Sequence, residues 1–370
     1  MKIPFTAIDR WYQEIKDELF DYYHQVYKSA NPFDHPVKQS CVEILKKITG
    51  RKHIILCQSG SDALSVMLYA VQNITDNRHI TTTNMSYVAP VQAAITQKFK
   101  LDFLDIDQTG QTNSNNLETN VASESKIFLN VNNYGECSNL KKIKDFCDLH
   151  NKIFLVDAAQ SLLCKYDNID TSKFGLASIL SFGHGKPVPI FGTMGAILTD
   201  DDSLADFLKL AIKNGHLPTK PDGTDGEVVT IGKNSMPQTD KCAQLLCSLK
   251  NIDKWHKRRK SIINYYNNNL KRKDIIKPIL SGCDPNGHKY VLLIKKDREQ
   301  FCNFLQDNGI GFRKHYGFNF GKTKIFGEIE KSYPITDFFN SSVVTIPIHA
   351  WLSDVEVETI VKKINSYEQF

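Results

Sequence analysis

A lysine, an aspartate and a serine-glycine turn follow one another in this 370-residue chain in an order that suits one kind of chemistry. Lys186 lies in Ser181-Phe182-Gly183-His184-Gly185-Lys186-Pro187, a Gly-rich loop behind an apolar run. Asp157 ends a second apolar run and precedes Ala158-Ala159-Gln160, while Ser59-Gly60-Ser61 leaves a third and opens a helical pattern. A lysine held in a rigid loop near the core loses solvation, which lowers its pKa and frees an amine to attack a carbonyl. A carboxylate at the end of a buried strand points into the crevice where α/β sheets bind ligands, and can keep a heterocyclic nitrogen protonated. Glycine at a helix start lets the backbone approach an anion, whose oxygens the first N–H groups can bind. These are the parts of a pyridoxal 5′-phosphate (PLP) site.

Each part has a plainer reading of its own. Asp157 could cap the next turn, and Ser61 could be a simple helix N-cap. Tyr87, in Asn84-Met85-Ser86-Tyr87-Val88, could stack on a pyridine ring or be an ordinary core tyrosine. Ser181 could add a hydroxyl to the phosphate cup. A P-loop is excluded: Leu180 stands where its first glycine belongs, and Pro187 replaces the required Ser or Thr.

Short apolar runs alternate with helical patterns from about residue 50 to 200, predicting an α/β sheet with crossover helices. The strand-like runs are His53–Gln58, His79–Thr83, Leu101–Leu104, Lys126–Val131, Lys152–Val156, Ser178–Phe182 and Gly195–Leu198. Helical spacing covers Asp62–Val71, Val88–Gln97, Leu140–His150 and Leu204–Asn214. Residues 211–239 read as loop, followed by one long helical pattern from Cys242 to about Leu270. Strand-like Tyr290–Ile294 and Val343–Ile346 alternate with helical Arg298–Asn308 and a closing helix from Asp354. We therefore expect a large domain, 1–240, with a mostly parallel seven-stranded sheet, and a smaller C-terminal α/β domain, 241–370.

Composition narrows the function. Hydrophobic content of 41% and charged content of 24% suit a soluble enzyme. The net charge of +5 is dispersed, and Lys257-Arg258-Arg259-Lys260 falls in a helical pattern as a solvated face, which argues against nucleic-acid binding. Nine cysteines without a C-x-x-C pair predict neither a disulfide framework nor a zinc site, so no metal is expected and a reducing cytoplasm is. The N-terminal residues lack an apolar secretion signal, and no run reaches the length of a membrane span.

The chain resembles, almost end to end, the DegT/StrS family of PLP-dependent sugar aminotransferases, of aspartate aminotransferase fold type I. The resemblance rests on Ser59–Leu64, Ser86-Tyr87-Val88-Ala89, Asn133-Tyr134-Gly135, Asp157-Ala158-Ala159-Gln160, and Ser181-Phe182 with Lys186. It continues through Gly195-Ala196-Ile197, Gly232-Lys233-Asn234, Gly309-Ile310 with Arg313 and Tyr316, and Ile346-Pro347-Ile348-His349. It implies that Lys186 carries the cofactor covalently, Asp157 partners the pyridine nitrogen, Gln160 contacts the phenolic oxygen and Tyr87 stacks on the ring. Gly60, Ser61 and Ser181 match phosphate ligands. Asn234 matches a residue lent to the neighbouring subunit, implying a homodimer with shared sites. His184, Arg313 and Tyr316 are candidate substrate contacts.

Five positions depart from the family pattern. Met236 stands where an arginine is usual, Lys233 where a tyrosine is, Thr193-Met194 where an acidic-Gly pair is, and His184 sits between glycines. The implied activity moves an amino group from L-glutamate to a keto sugar, nucleotide-linked, in amino-sugar and surface-polysaccharide biosynthesis. Two alternatives are a PLP-dependent sugar dehydratase and a non-catalytic PLP-binding regulator of the same fold. Dehydratases of the family carry histidine in place of the lysine, and Lys186 is present here.

Overall fold

The computed structural model describes residues 2–31, 35–317, 319–326 and 331–367. In chain order its strands are β1 (His53–Cys57), β2 (His79–Thr83), β3 (Lys100–Leu104), β4 (Ile127–Val131), β5 (Ile153–Asp157), β6 (Lys165–Tyr166) and β7 (Ile169–Asp170). They continue as β8 (Ala177–Ser181), β9 (Gly195–Thr199), β10 (Cys283–Asp284), β11 (Tyr290–Leu293) and β12 (Val343–Ile346). The helices are α1 (Ile8–Lys28), α2 (Pro36–Thr49), α3 (Gly60–Val71), α4 (Ala89–Thr96), α5 (Leu117–Asn120) and α6 (Leu140–Leu149). They continue as α7 (Asp202–Ala211), α8 (Thr239–Lys250), α9 (Ile252–Asn269), α10 (Arg298–Asp307), α11 (Pro334–Ser342) and α12 (Asp354–Asn365).

Seven strands form one sheet in the order β1-β9-β8-β5-β4-β2-β3. Only β9 runs against its neighbours; the other pairings are parallel. Alternate residues of each strand face opposite ways. Ile54, Leu56, Phe128, Phe154, Val156, Leu180 and Leu198 pack under α1, α2, α6 and α8. Ile55, Cys57, Ile80, Leu129, Leu155, Ile179 and Ile197 pack under α3, α4 and α7. Both faces being covered is why β1, β4, β5, β8 and β9 read as mostly apolar runs. A third apolar cluster joins Ile3 to α9, α10, α12, β11 and β12.

The seven expected strands all form, each end within two residues of its predicted place. One prediction is corrected. The helical pattern from Cys242 to Leu270 is two helices, broken at Asn251, whose side-chain amide donates to the Cys247 carbonyl at 2.9 Å. The break serves packing, because α8 is buried in the first cluster while α9 turns Ile262, Ile263 and Tyr266 into the third. The stretch 211–239 lacks helix beyond α7, as expected, and is tied down by bridges pairing Lys213 with Asn234 and His216 with Val228.

Two glycines set how closely the loops at the strand ends approach. A Cβ on Gly60 would lie 2.8 Å from the Ser181 Cβ, and one on Gly195 would lie 2.4 Å from the Ser59 carbonyl oxygen. The second contact is with backbone and has no easy escape. Gly195→Ala should therefore push the Ser59-Gly60 turn outward and lower stability by about 1–3 kcal/mol, the usual range for overpacking. Urea unfolding of the variant measures this; an unchanged midpoint would show that the turn moves freely.

Candidate active site

The strand ends and the loops that follow them enclose a cavity of about 770 Å³. Its lining includes Gly60, Ser61, Tyr87, Asp157, Gln160, Ser181, His184 and Lys186, residues distant in sequence, together with Tyr316 from the C-terminal part. Each arrives by an identifiable element. Asp157 is the last residue of β5 and Ser181 the last of β8, so both face the crevice beyond the carboxyl ends of the strands. Gly60 and Ser61 are the first two residues of α3, whose N–H groups have no acceptor within the helix. The N-cap of α3 is Ser59, whose hydroxyl accepts from the Asp62 N–H at 3.0 Å, so Ser61 is left for the cavity.

The electrostatics are those of a desolvated pair that does not touch. Burial lowers the pKa of Lys186, and Asp157 opposes the shift. Burial likewise raises the pKa of Asp157, against the Ala159 N–H, which donates to its Oδ1 at 2.9 Å, and against Lys186. Lys186 has no ion pair and no side-chain hydrogen bond among the described residues, and its Nζ lies 6.0 Å from the centre of the Tyr87 ring. Gln160 is fixed by the Tyr134 N–H, which donates to its Oε1 at 3.1 Å, and it also hydrogen-bonds the Tyr316 side chain. The Tyr316 hydroxyl is held above its usual range, first by burial and then by Asp157. Tyr87 is 53% exposed and faces the cavity mouth, so it is no core tyrosine.

Two residues singled out by sequence lie elsewhere. Arg313 is exposed outside the cavity lining, its guanidinium 5.5 Å from the Phe5 ring. Asn234 is exposed on the 211–239 segment, beside Tyr27, Gln58 and Met236, away from the cavity of its own chain. Three titratable lining residues were missed by the sequence reading: His288, Lys289 and His315. Burial, then Lys289, holds His288 well below the usual histidine range and His315 at about 3, so both are neutral at pH 7. Lys289 is pushed down to about 7 by burial, then by Lys186 and Arg313, and has no carboxylate partner among the described residues. A lysine directly before the apolar run Tyr290–Leu293 was the available signal, and many surface lysines share it.

The arrangement fits a pyridine ring bearing an aldehyde and a phosphate. A half-buried amine without a partner among the described residues, a buried carboxylate with one oxygen engaged by Ala159, and two open helix N–H groups surround one space. The sequence model of the DegT/DnrJ/EryC1/StrS aminotransferase family matches residues 13–365. Among curated proteins, the UDP-2-acetamido-2-deoxy-3-oxo-D-glucuronate aminotransferase of Pseudomonas aeruginosa is 23% identical, over 97% of this chain and 98% of its own. Other relatives bear the names of nucleotide-sugar transaminases. A solved DegT DnrJ EryC1 StrS aminotransferase from Brucella abortus superposes with a TM-score of 0.90 at 23% identity, covering 98% of each chain. The fold is shared with NtdA from Bacillus subtilis, solved with bound cofactor PMP, at a TM-score of 0.88 and 19% identity over 98% of this chain and 84% of that one. The chain belongs to the DegT/DnrJ/EryC1/StrS family, whose members depend on PLP.

The charge on Lys289 carries a pH signature. A lysine whose folded pKa is depressed is disfavoured when charged. Its penalty is complete below about pH 7, shrinks as pH rises, and vanishes near its unfolded value of 10.5. Lys289→Met should thus raise the melting temperature of the cofactor-free protein most at pH 6, with the gain fading toward pH 10. Thermal unfolding across pH checks this, and a gain independent of pH would assign the effect to packing.

Proposed function

We propose that this family member transfers an amino group from L-glutamate to a keto sugar linked to a nucleotide. The observation that carries the reading is the half-buried Lys186 amine, unpaired among the described residues, in one cavity with Asp157 and the open end of α3. Bound there, PLP supplies an electron sink that weakens the C–H bond on the carbon bearing the amine. Gly60 and Ser61 offer backbone N–H groups to the phosphate, and Ser181 adds its hydroxyl. Asp157 holds a proton on the ring nitrogen with its free carboxylate oxygen. Gln160, positioned by Tyr134, offers its amide to the phenolic oxygen, and Tyr87 flanks the ring. Lys186, whose pKa desolvation lowers, takes the proton from the donor's α-carbon and returns one during the second half of the cycle.

The acceptor class is supported by the relatives' names. The donor is supported by charge. Lys289 faces the cavity without a carboxylate partner among the described residues and Arg313 stands outside the cavity lining, so a dicarboxylate such as glutamate would supply a counter-charge. A homodimer with shared sites is supported by Asn234, exposed on a segment that also exposes Val228, Val229 and Ile231.

Incubation of the PLP-loaded protein with L-glutamate, without acceptor, should release one 2-oxoglutarate per bound cofactor. Lys186→Ala should release none while remaining folded. Wild-type release by this variant would remove Lys186 from the chemistry, and release from another amino acid alone would replace glutamate as donor.

Sharing of sites is tested by mixing two inactive variants, Lys186→Ala and Asn234→Asp. In a mixed dimer one site receives both defects, while the other keeps an intact lysine and asparagine. Random exchange should restore up to a quarter of wild-type activity. No recovery, with mixed dimers demonstrated by mass, would mean that each site is built from one chain.

A further inference from the structure

The nine cysteines lack any pairwise spacing that marks a metal site, and all nine are free. The fold nevertheless brings three of them together from separate segments. Cys137 follows the turn after β4, Cys164 precedes β6, and Cys283 opens β10, which pairs with β6. Their sulfurs all lie within 4.8 Å of one another, and the Cys164 and Cys283 sulfurs are 3.7 Å apart. Cys137 and Cys164 are fully buried and Cys283 is partly exposed. This group lies apart from the PLP cavity, and the proposed reaction makes no use of it.

The spacing is informative. A disulfide needs sulfurs about 2.05 Å apart, far closer than these. Tetrahedral zinc with bonds of about 2.3 Å separates its sulfur ligands by roughly 3.8 Å. Separations between 3.7 and 4.8 Å therefore need a contraction of one ångström at most to meet a common ion. The charges are also suitable. Three thiolates around Zn²⁺ carry a net charge of −1, and Lys260 and Lys277 both lie close enough to act electrostatically on Cys283. Lys277 forms a buried ion pair with Glu136, the residue before Cys137.

We infer that Cys137, Cys164 and Cys283 form a zinc site, with three thiolate ligands and a fourth position reached by solvent past Cys283. Binding involves no redox change: the three thiols release their protons to water and each sulfur donates a lone pair to the ion. Zinc there joins β10 to the 133–137 turn, the same turn whose Tyr134 N–H fixes Gln160. The site is thus placed to stiffen one wall of the cavity without touching substrate.

The test uses the whole PLP-loaded protein, purified without chelator and without a metal-affinity step. Elemental analysis should find about one zinc per chain. Cys283→Ser and Cys164→Ser should each weaken zinc retention at least about tenfold, while the cofactor absorbance persists. Cobalt in place of zinc should give a sulfur-to-metal charge-transfer band in the wild-type protein, which decides the matter even if the variants fail to fold. The inference would be overturned by no zinc retained after equilibration with zinc together with no cobalt band, by retention unchanged by both substitutions, or by copper in zinc's place. A Cys164–Cys283 disulfide in non-reducing peptide mass spectra would overturn it equally.

Discussion

Asp157 is buried and Lys186 half-buried in one cavity without contact, and the remainder of the site depends on that separation. An amine taken out of water loses hydration that a distant carboxylate replaces only in part. In contact, the two would form a buried ion pair, both charged, each consuming the other's reactive atom. Held apart, burial dominates at both groups: the lysine is driven toward the neutral amine and the aspartate keeps an oxygen free for a partner. The chemistry needs both states at once, and only a rigid frame can supply them.

The sheet is that frame. β5 and β8 are adjacent parallel strands, in register with Asp157 opposite Ile179, so the carboxylate and the Ser181 hydroxyl emerge at one edge. The chain then leaves as a loop and returns as β9, the only strand running the other way. Ser181 pairs with Gly195, and the Phe182 N–H donates to the Met194 carbonyl at 2.8 Å, closing the loop at its base. Within it the Lys186 N–H donates to the Gly183 carbonyl at 2.9 Å, a turn that aims the side chain inward. A lysine in an ordinary crossover would be anchored at one end only.

Much of this was legible in the sequence, for a physical reason. Strands covered on both faces leave mostly apolar runs, as in β1, β4, β5, β8 and β9. β2 (His79-Ile80-Thr81-Thr82-Thr83) and β3 (Lys100-Leu101-Asp102-Phe103-Leu104) were read from β-branched and alternating residues. The candidate site residues stood where such runs stop. Asp157, Ser181 and Gly60 are of that kind. What failed to show was whatever depends on three-dimensional convergence. The helix break at Asn251 is set by two cores competing for one amphipathic stretch, a contest invisible to periodicity. His288, Lys289 and His315 enter the cavity from the C-terminal part, with no motif to mark them. The cysteines converge from three segments whose spacing carries no signal. Arg313 stands outside the cavity lining, although its neighbours His315 and Tyr316 on the same segment reach it.

The departures from the family pattern take on meaning in this light. Lys233, in place of tyrosine, pairs with Asp62 in the first turn of α3 and ties the 211–239 segment to the helix whose start lines the cavity. Thr193 lines the cavity, its hydroxyl donating to the Gln58 carbonyl at 3.3 Å, while Met194 is buried in the core under the sheet. Met236 packs against the opposite core, so the cation usual at that position is gone. A cation is found instead at Lys289, brought in from the start of β11, a different element on another side of the cavity. On the function proposed above, an anionic ligand is still met by a positive charge, but from a new direction. A pocket rebuilt this way would turn the ligand relative to the frame while leaving Lys186, Asp157 and the end of α3 where they are. The chemistry can therefore stay constant while the choice of sugar changes.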